Sequence, residues 1–366
     1  MMEPSPLDSL LTEEQSMIAQ AVGEFATDVV LPRHEALDHA GTHPEDLWNE
    51  IAELGLFGAS VPEELGGAAA GCVGQVIVIE KLARAAGVAG ALACAQGIVT
   101  DALVACDDEP TQARWIEGLA TGELLGAPAL AEEDWAVDCA ADGGGADVTL
   151  RGQKTVVPFP GRAGCYLVRA RRGDGEVLAV VAADAPGLSH GGPVDAIGLQ
   201  GFEWGALALD GAPGRVIGGA DLVARVLAVS RVGVSALLVG TARGALDHAV
   251  RYSDERKQFK LELRRFAAIQ EKLATGDARV EGARGLVHGA ARMMDAGAPF
   301  AHAARQARHL AARVANQVTD DCVQVYGGYG FSREYPVERF YRDAMFCGFG
   351  EYHTAALFAD SVAALD

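Results

Sequence analysis

The sequence predicts an α+β multi-domain protein with a helical N-terminal domain, a middle antiparallel β-barrel and a C-terminal helical bundle. Three observations carry that expectation. Apolar residues recur at helical spacing up to about residue 125, short β-branched runs between glycine-rich turns occupy 126–221, and helical spacing returns over 222–366. Domains 1–125, 126–221 and 222–366 are expected on that basis.

The first helix is read from "LTEEQSMIAQAVGEFATDVVLPRH", opened by Thr12 as cap and closed before Pro32. "DLWNEIAELGLFGASVPEELGG" repeats the amphipathic pattern and ends in a Pro and Gly loop. The most apolar stretch, "AAGVAGALACAQGIVT" from Ala85 to Thr100, is bounded by Arg84 and Asp101. It falls short of the roughly 20 residues that span a bilayer. Its small side chains suit a helix packed on all sides.

In the middle segment, "CYLVRA", "EVLAVVA" and "GALALD" alternate with turn clusters such as "RRGDG" and "APG", the texture of an antiparallel β unit. In the last segment Phe266, Ile269, Leu273, Gly276, Val280, Ala283, Val287, Ala290 and Met294 step by threes and fours, the seam of a long bundle helix. A second seam runs through Ala307, Leu310, Val314, Val318 and Val325 and stops at Gly327 and Gly328. A β unit inserted between helical layers forms a cleft with them, a favoured place for a cofactor.

Composition narrows the partners. Half of the 366 residues are apolar, enough for more than one core, and 30 Lys and Arg face 50 Asp and Glu for a net charge of -20. Nucleic acid and anionic membrane recruit basic surfaces, so neither is expected as a partner. The seven cysteines lack any C-x-x-C pairing, and the start has no basic, apolar leader. A reducing cytoplasm is the expected location.

One basic loop stands out in this acidic chain. Arg256 lies in "YSDERKQFKLELRRFAAIQ" with Gln258 and Phe259 beside it. A planar guanidinium there suits a pyrophosphate, an amide suits hydrogen bonding and a ring suits packing. A solvated loop between helices accounts for the same residues. Likewise Gly327 and Gly328 either end a helix or bring backbone amides to a phosphate, and spacing alone leaves both readings open. No G-x-G-x-x-G follows a strand, and no G-x-S-x-G, H-E-x-x-H or Walker A pattern occurs.

Taken together, "YGGYGFSREYPVERFYRD", "RKQF", "AAIQEKLA" and "SVPEELGG" resemble the acyl-CoA dehydrogenase family over nearly the whole chain. The resemblance implies FAD bound between subunits, with the C-terminal elements touching the cofactor of the neighbouring chain. On that footing Arg256 matches the position near the pyrophosphate. Gln258 and Phe259 match the accompanying contacts, and Gln324 with Gly327 and Gly328 matches the loop that cradles the dinucleotide. The implied reaction removes hydrogens from the α and β carbons of an acyl-CoA, with electron-transfer flavoprotein as acceptor. The base position falls on Glu351, nine residues after Arg342, with Tyr352 and His353 where the family has Gly-Thr. A second base position known in branched-chain members falls on Ser230, which cannot serve.

The middle segment departs from the family. Ala131 stands where a Thr is expected, a G-S-D segment is missing, and Pro158 replaces a Thr or Ser that meets the flavin edge. Proline has neither hydroxyl nor backbone N–H. Parts serving the chain's own flavin thus read as eroded, and parts serving a neighbour's as intact. That split resembles one subunit of heterotetrameric dehydrogenases acting on bulky thioesters such as steroid side chains. Two expectations follow: a dehydrogenase subunit using Glu351, or a non-catalytic subunit that completes the FAD site of a homologous partner.

Overall fold

A computed structural model describes residues 6–39, 41, 43–132, 137–349, 359 and 361–363. Helices α1 (Glu13–Phe25), α2 (His34–His39), α3 (Glu45–Glu53), α4 (Gly71–Ala85), α5 (Gly87–Val104) and α6 (Glu109–Thr121) come first. Strands β1 (Gly126–Ala129), β2 (Ala140–Asp142), β3 (Asp147–Pro158), β4 (Cys165–Arg172), β5 (Gly175–Ala182), β6 (Leu188–Pro193) and β7 (Trp204–Gly218) follow. The rest is α7 (Ala220–Glu255), the hairpin β8 (Lys257–Gln258) and β9 (Leu261–Glu262), then α8 (Ala267–Asp295), α9 (Ala301–Tyr326) and α10 (Val337–Phe349). The order is the one the sequence predicts: helices, a β unit, a helical bundle.

Thr12 caps α1 as expected. Its hydroxyl accepts the Gln15 N–H while the Gln15 side chain accepts the Thr12 N–H, each at 3.2 Å, which satisfies two otherwise orphaned donors. The predicted stop before Pro32 is corrected. The chain widens into a π turn over Ala26–Val30, passes through a 3-10 turn at Leu31–Arg33 and runs on into α2. Pro32 is tolerated because it opens a new turn, where no N–H is needed.

The strands close on themselves. β4 pairs with β5, β5 with β7, β7 with β3, β3 with β2 and β2 with β4, so a barrel forms without free edges around that ring. It is not antiparallel throughout. β1 and β2 both run parallel to β4, β1 in register from Gly126 opposite Cys165 to Ala129 opposite Val168. β1 enters directly from the helical block, and the parallel arrangement lets it lie against α5.

Among the described residues, two helices are long and apolar enough to cross a membrane, 87–104 and 220–255. Both are core elements here: every residue of α5 except Val104 is buried. The seam read for α8 also holds, with Gly276, Val280, Ala283, Val287 and Ala290 buried against α7 and α9.

The centre of the bundle is the contact between α4 and α7. A Cβ at Gly240 would sit 2.4 Å from the Glu80 carbonyl oxygen, and one at Gly244 would sit 2.3 Å from that of Arg84. Glycine four residues apart therefore lets backbone meet backbone along one helix face. Gly282, on the open side of α8, has no atom within 4 Å of its would-be Cβ. Gly244→Ala is expected to cost about 1–3 kcal/mol through overpacking, whereas Gly282→Ala gains up to about 1 kcal/mol of helix propensity. Thermal midpoints of the two variants test this, and equal midpoints would refute the packing argument.

Candidate functional site

A cavity of about 270 Å³ opens where α5, β1, β3, the 199–204 turn, α7 and α10 meet. Small side chains of α5, Ala91, Cys94 and Ala95, line one side, and Val234 and Leu237 of α7 line another. A third side is aromatic: the Phe202 and Trp204 rings lie 4.7 Å apart and Trp204 and Phe346 lie 5.2 Å apart. Ala131 and Pro158, the two positions at which the middle segment departs from the family, are both on this wall. Ser230 is fully buried one turn before Val234 on α7.

Among the described residues, Thr155 brings the one side-chain hydroxyl to the lining and Glu132 the one charge. That charge is already engaged. The wholly buried Lys154 donates to Glu132 Oε1 and, at 2.6 Å, to the Arg169 carbonyl, and the Cys139 N–H reaches the same Oε1 at 3.2 Å. Burial pulls the Lys154 ammonium down and the Glu132 carboxylate opposes it. Removing either partner would strand the other charge in a dry interior.

The backbone around the cavity is strained. Phe159, Leu199 and Glu203 have φ of 57, 50 and 50°, a region that non-glycine residues seldom occupy. The Phe159 N–H donates to the Glu203 carbonyl at 3.0 Å, tying two of them together. Beside them the β3–β7 register breaks between Lys154 and Val157, so Thr155 and Val156 bulge from the ladder at the cavity wall. Strain of this kind persists where surrounding contacts over-determine it, commonly at binding sites.

Helix α10 is held to the 199–204 turn by its acid. Asp343 Oδ1 accepts the Leu199 N–H at 2.6 Å, while Arg342 donates to the Ile197 carbonyl at 2.9 Å and pairs with Asp38 at 2.6 Å. Burial pushes the Asp343 carboxyl up to about 7, with the Leu199 N–H opposing.

A second group of predicted residues meets at the far end of α7. Arg256 ends that helix, its guanidinium lies 5.4 Å from the Tyr329 ring centre, and among the described residues no carboxylate pairs with it. The hairpin beyond it turns on Phe259 and Lys260 at φ of 52 and 69°. Phe259 is 88% exposed and Phe331 83%. Gln258, Gln324, Gly327 and Gly328 are all exposed, Gly327 has φ 59°, and neither glycine has a neighbour within 4 Å of a would-be Cβ. Stacking of Tyr252 on Tyr326 at 3.9 Å holds the end of α7 to the end of α9. The structure thus brings Arg256 and the Gly327 turn into one corner, with exposed glycine backbone and, among the described residues, a cation without a carboxylate partner. Glu351 lies outside the described residues.

Sequence reasoning missed the ion pair of Glu132 with Lys154, the three left-handed residues and the Asp343 contact. "IGLQGFEWG" has no period that would mark a cavity wall. Its signal is its glycines: a Cβ would lie 2.4 Å from the Arg342 carbonyl oxygen at Gly198 and 1.9 Å from that of Leu37 at Gly201.

Two family models match the chain: the acyl-CoA dehydrogenase N-terminal domain over residues 12–123 and the acyl-CoA dehydrogenase C-terminal domain over residues 218–351. Benzylmalonyl-CoA dehydrogenase of Aromatoleum aromaticum is 32% identical, with 93% of this chain and 94% of that protein covered. Butyryl-CoA dehydrogenase from Megasphaera elsdenii superposes with a TM-score of 0.91 at 28% identity, covering 97% of this chain and 98% of that one. A chain from the structure of the electron transferring flavoprotein of Acidaminococcus fermentans gives a TM-score of 0.92 at 29% identity, with coverage of 97% and 98%.

The Asp343 carboxyl binds its proton more tightly in the folded chain than at its ordinary value of 3.8. Stability therefore falls as pH climbs from about 4 towards 7, and the full cost is present above 7. Asp343→Asn keeps an oxygen for the Leu199 N–H and removes the charge. It is expected to raise the thermal midpoint at pH 8 and to change it little at pH 5. Equal shifts at both pH values would refute this.

Proposed function

The chain belongs to the acyl-CoA dehydrogenase family, and from that premise we propose that it is one subunit of a heteromeric FAD-dependent acyl-CoA dehydrogenase. The observation that carries the proposal is a separation along one helix. Leu237, the last α7 residue on the cavity wall, and Arg256 are 19 positions apart, which is about 28 Å at about 1.5 Å per residue. The ribityl linker between a flavin ring and its first phosphorus has seven bonds and reaches about 9 Å. Arg256 therefore lies beyond reach of a pyrophosphate whose flavin ring sits in this chain's own cavity. It serves a flavin lodged in another protomer.

The exposed corner fits that task. Arg256 has no competing carboxylate among the described residues, and at Gly327 and Gly328 no side chain stands between the backbone and an approaching phosphate. Gln258 and Gln324 offer amide hydrogen bonds beside it, and Phe259 offers a ring at the tip of the hairpin. Bound FAD supplies the electron acceptor for the hydrogen that leaves the β carbon of an acyl-CoA. Glu351 is proposed to take the α proton. The natural partner is a homologous dehydrogenase subunit, electron-transfer flavoprotein is the proposed electron acceptor, and the cytoplasm is the proposed location.

A second reading, an assembly subunit without catalysis of its own, is favoured by Ala131 and Pro158 on the cavity wall. Both readings share the neighbour's cofactor, and two measurements follow. The purified chain alone is expected to hold little FAD by absorbance, with one FAD per pair appearing on co-expression with a homologous subunit. Arg256→Ala should weaken FAD retention in the pair by on the order of 10- to 100-fold, the worth of a charge-assisted hydrogen bond. Full occupancy in the lone chain, untouched by Arg256→Ala, would overturn the proposal. Glu351→Gln should lower kcat at least about 100-fold with unchanged flavin content if Glu351 is the base. Unchanged turnover would assign this chain to the assembly role.

A further inference from the structure

We propose that Trp204 is a specificity-determining gate: its indole swings between the apolar cavity and the carboxylate of Asp195, and the size of group the cavity takes depends on that swing. The identity of the ligand, an acyl thioester, rests on the subunit reading above. The motion of the indole does not.

Trp204 stands between two spaces. The turn before it gives Leu199 and Phe202 to the apolar cavity of about 270 Å³, and Gln200 and Glu203 to a second cavity of about 310 Å³. Trp204 lines both. Asp38, His39 and Asp195 make the second one polar. Its acids are not equally free. Asp38 pairs with Arg342 at 2.6 Å and Glu203 with Arg162 at 2.8 Å, whereas Asp195 is exposed and has no partner among the described residues.

The main chain is pinned, so any change falls to the side chain. Trp204 opposes Pro158 across the β3–β7 pair, and its carbonyl accepts the Val194 N–H at 2.8 Å. The second contact brings Asp195, the next residue, alongside. Pro158 offers the indole no polar group to hold it. Glu203, just before Trp204, is left-handed at φ 50°, a strain that gathers at clamps and switch regions.

Two positions of the ring balance. In the present one Phe202 and Phe346 lie at 4.7 and 5.2 Å from it, each tilted by 54°, a geometry that is favourable beyond area alone. The same position leaves the indole N–H buried without an acceptor. An unmade buried bond costs about as much as two such ring contacts give. Rotation towards Asp195 gives up the rings and gains a charge-assisted bond. Two states of similar free energy are what a ligand can select between. With the ring moved the two spaces join, and a group too large for the first alone fits.

The test labels the full chain with fluorotryptophan and reads the fluorine NMR spectrum, the Trp204 line being the one missing from Trp204→Phe. Two Trp204 lines, or one broadened by exchange, are expected. Asp195→Ala removes the acceptor at an exposed position and should reduce the minor population at least about threefold. In the co-expressed pair, Trp204→Ala should raise kcat/KM for palmitoyl-CoA relative to butyryl-CoA at least about tenfold, because the spaces are then always joined. A residue that only supports the fold would lower both together. Thermal midpoints identify a Trp204→Ala chain that fails to fold, and Asp195→Ala then decides, with palmitoyl-CoA falling relative to butyryl-CoA.

A single sharp Trp204 line, the same in Asp195→Ala, would overturn the inference, as would an unchanged size preference in a folded Trp204→Ala variant. A pair that dehydrogenates neither thioester would instead defeat the subunit reading, and the Trp204 line would still decide the gate.

Discussion

The approach of α4 to α7 through Gly240 and Gly244 sets the frame for everything else. Backbone lies against backbone there, which fixes the position of α7, a helix of 36 residues. Its early part contributes Val234 and Leu237 to the cavity, and its end delivers Arg256 to the exposed corner. A rigid spacer of this length makes the two places independent within one chain. No motion of side chains closes the about 28 Å between them.

The electrostatics follow the same division. The cavity wall holds a charge pair that is fully internal, Glu132 with Lys154, and presents little polarity to a ligand. The corner holds cations at the surface of a chain whose net charge is -20. Against that background the long-range field repels anions, and only a short-range contact with well-aligned donors can hold one.

The architecture was legible in the sequence because it rests on periodicity. The α8 seam from Gly276 to Ala290 and the glycine stop at Gly327 follow from three- and four-residue spacing, and the structure has both. Arg256 and the Gly327 turn were legible as chemistry types and gained meaning from resemblance; only the fold shows them sharing a corner. The cavity wall was not legible. Phe202, Trp204 and Phe346 reach it from a left-handed turn and a distant helix, and such convergence leaves no mark on local spacing. Pro32 misled for a related reason: a breaker at one position was absorbed by a change of helix type upstream. The parallel pairing of β1 and β2 with β4 also lay outside what alternating apolar residues can specify.

Helix α5 carries a consequence for biosynthesis. Buried along nearly its whole length, it is covered in part by β1 and by α7, yet Val234 of α7 is translated 136 residues after Ile98 of α5. At about 5–20 residues per second the nascent chain carries this greasy segment for on the order of ten seconds before its cover exists. During that interval part of the helix surface lies uncovered, the state in which nascent chains associate wrongly or meet chaperones.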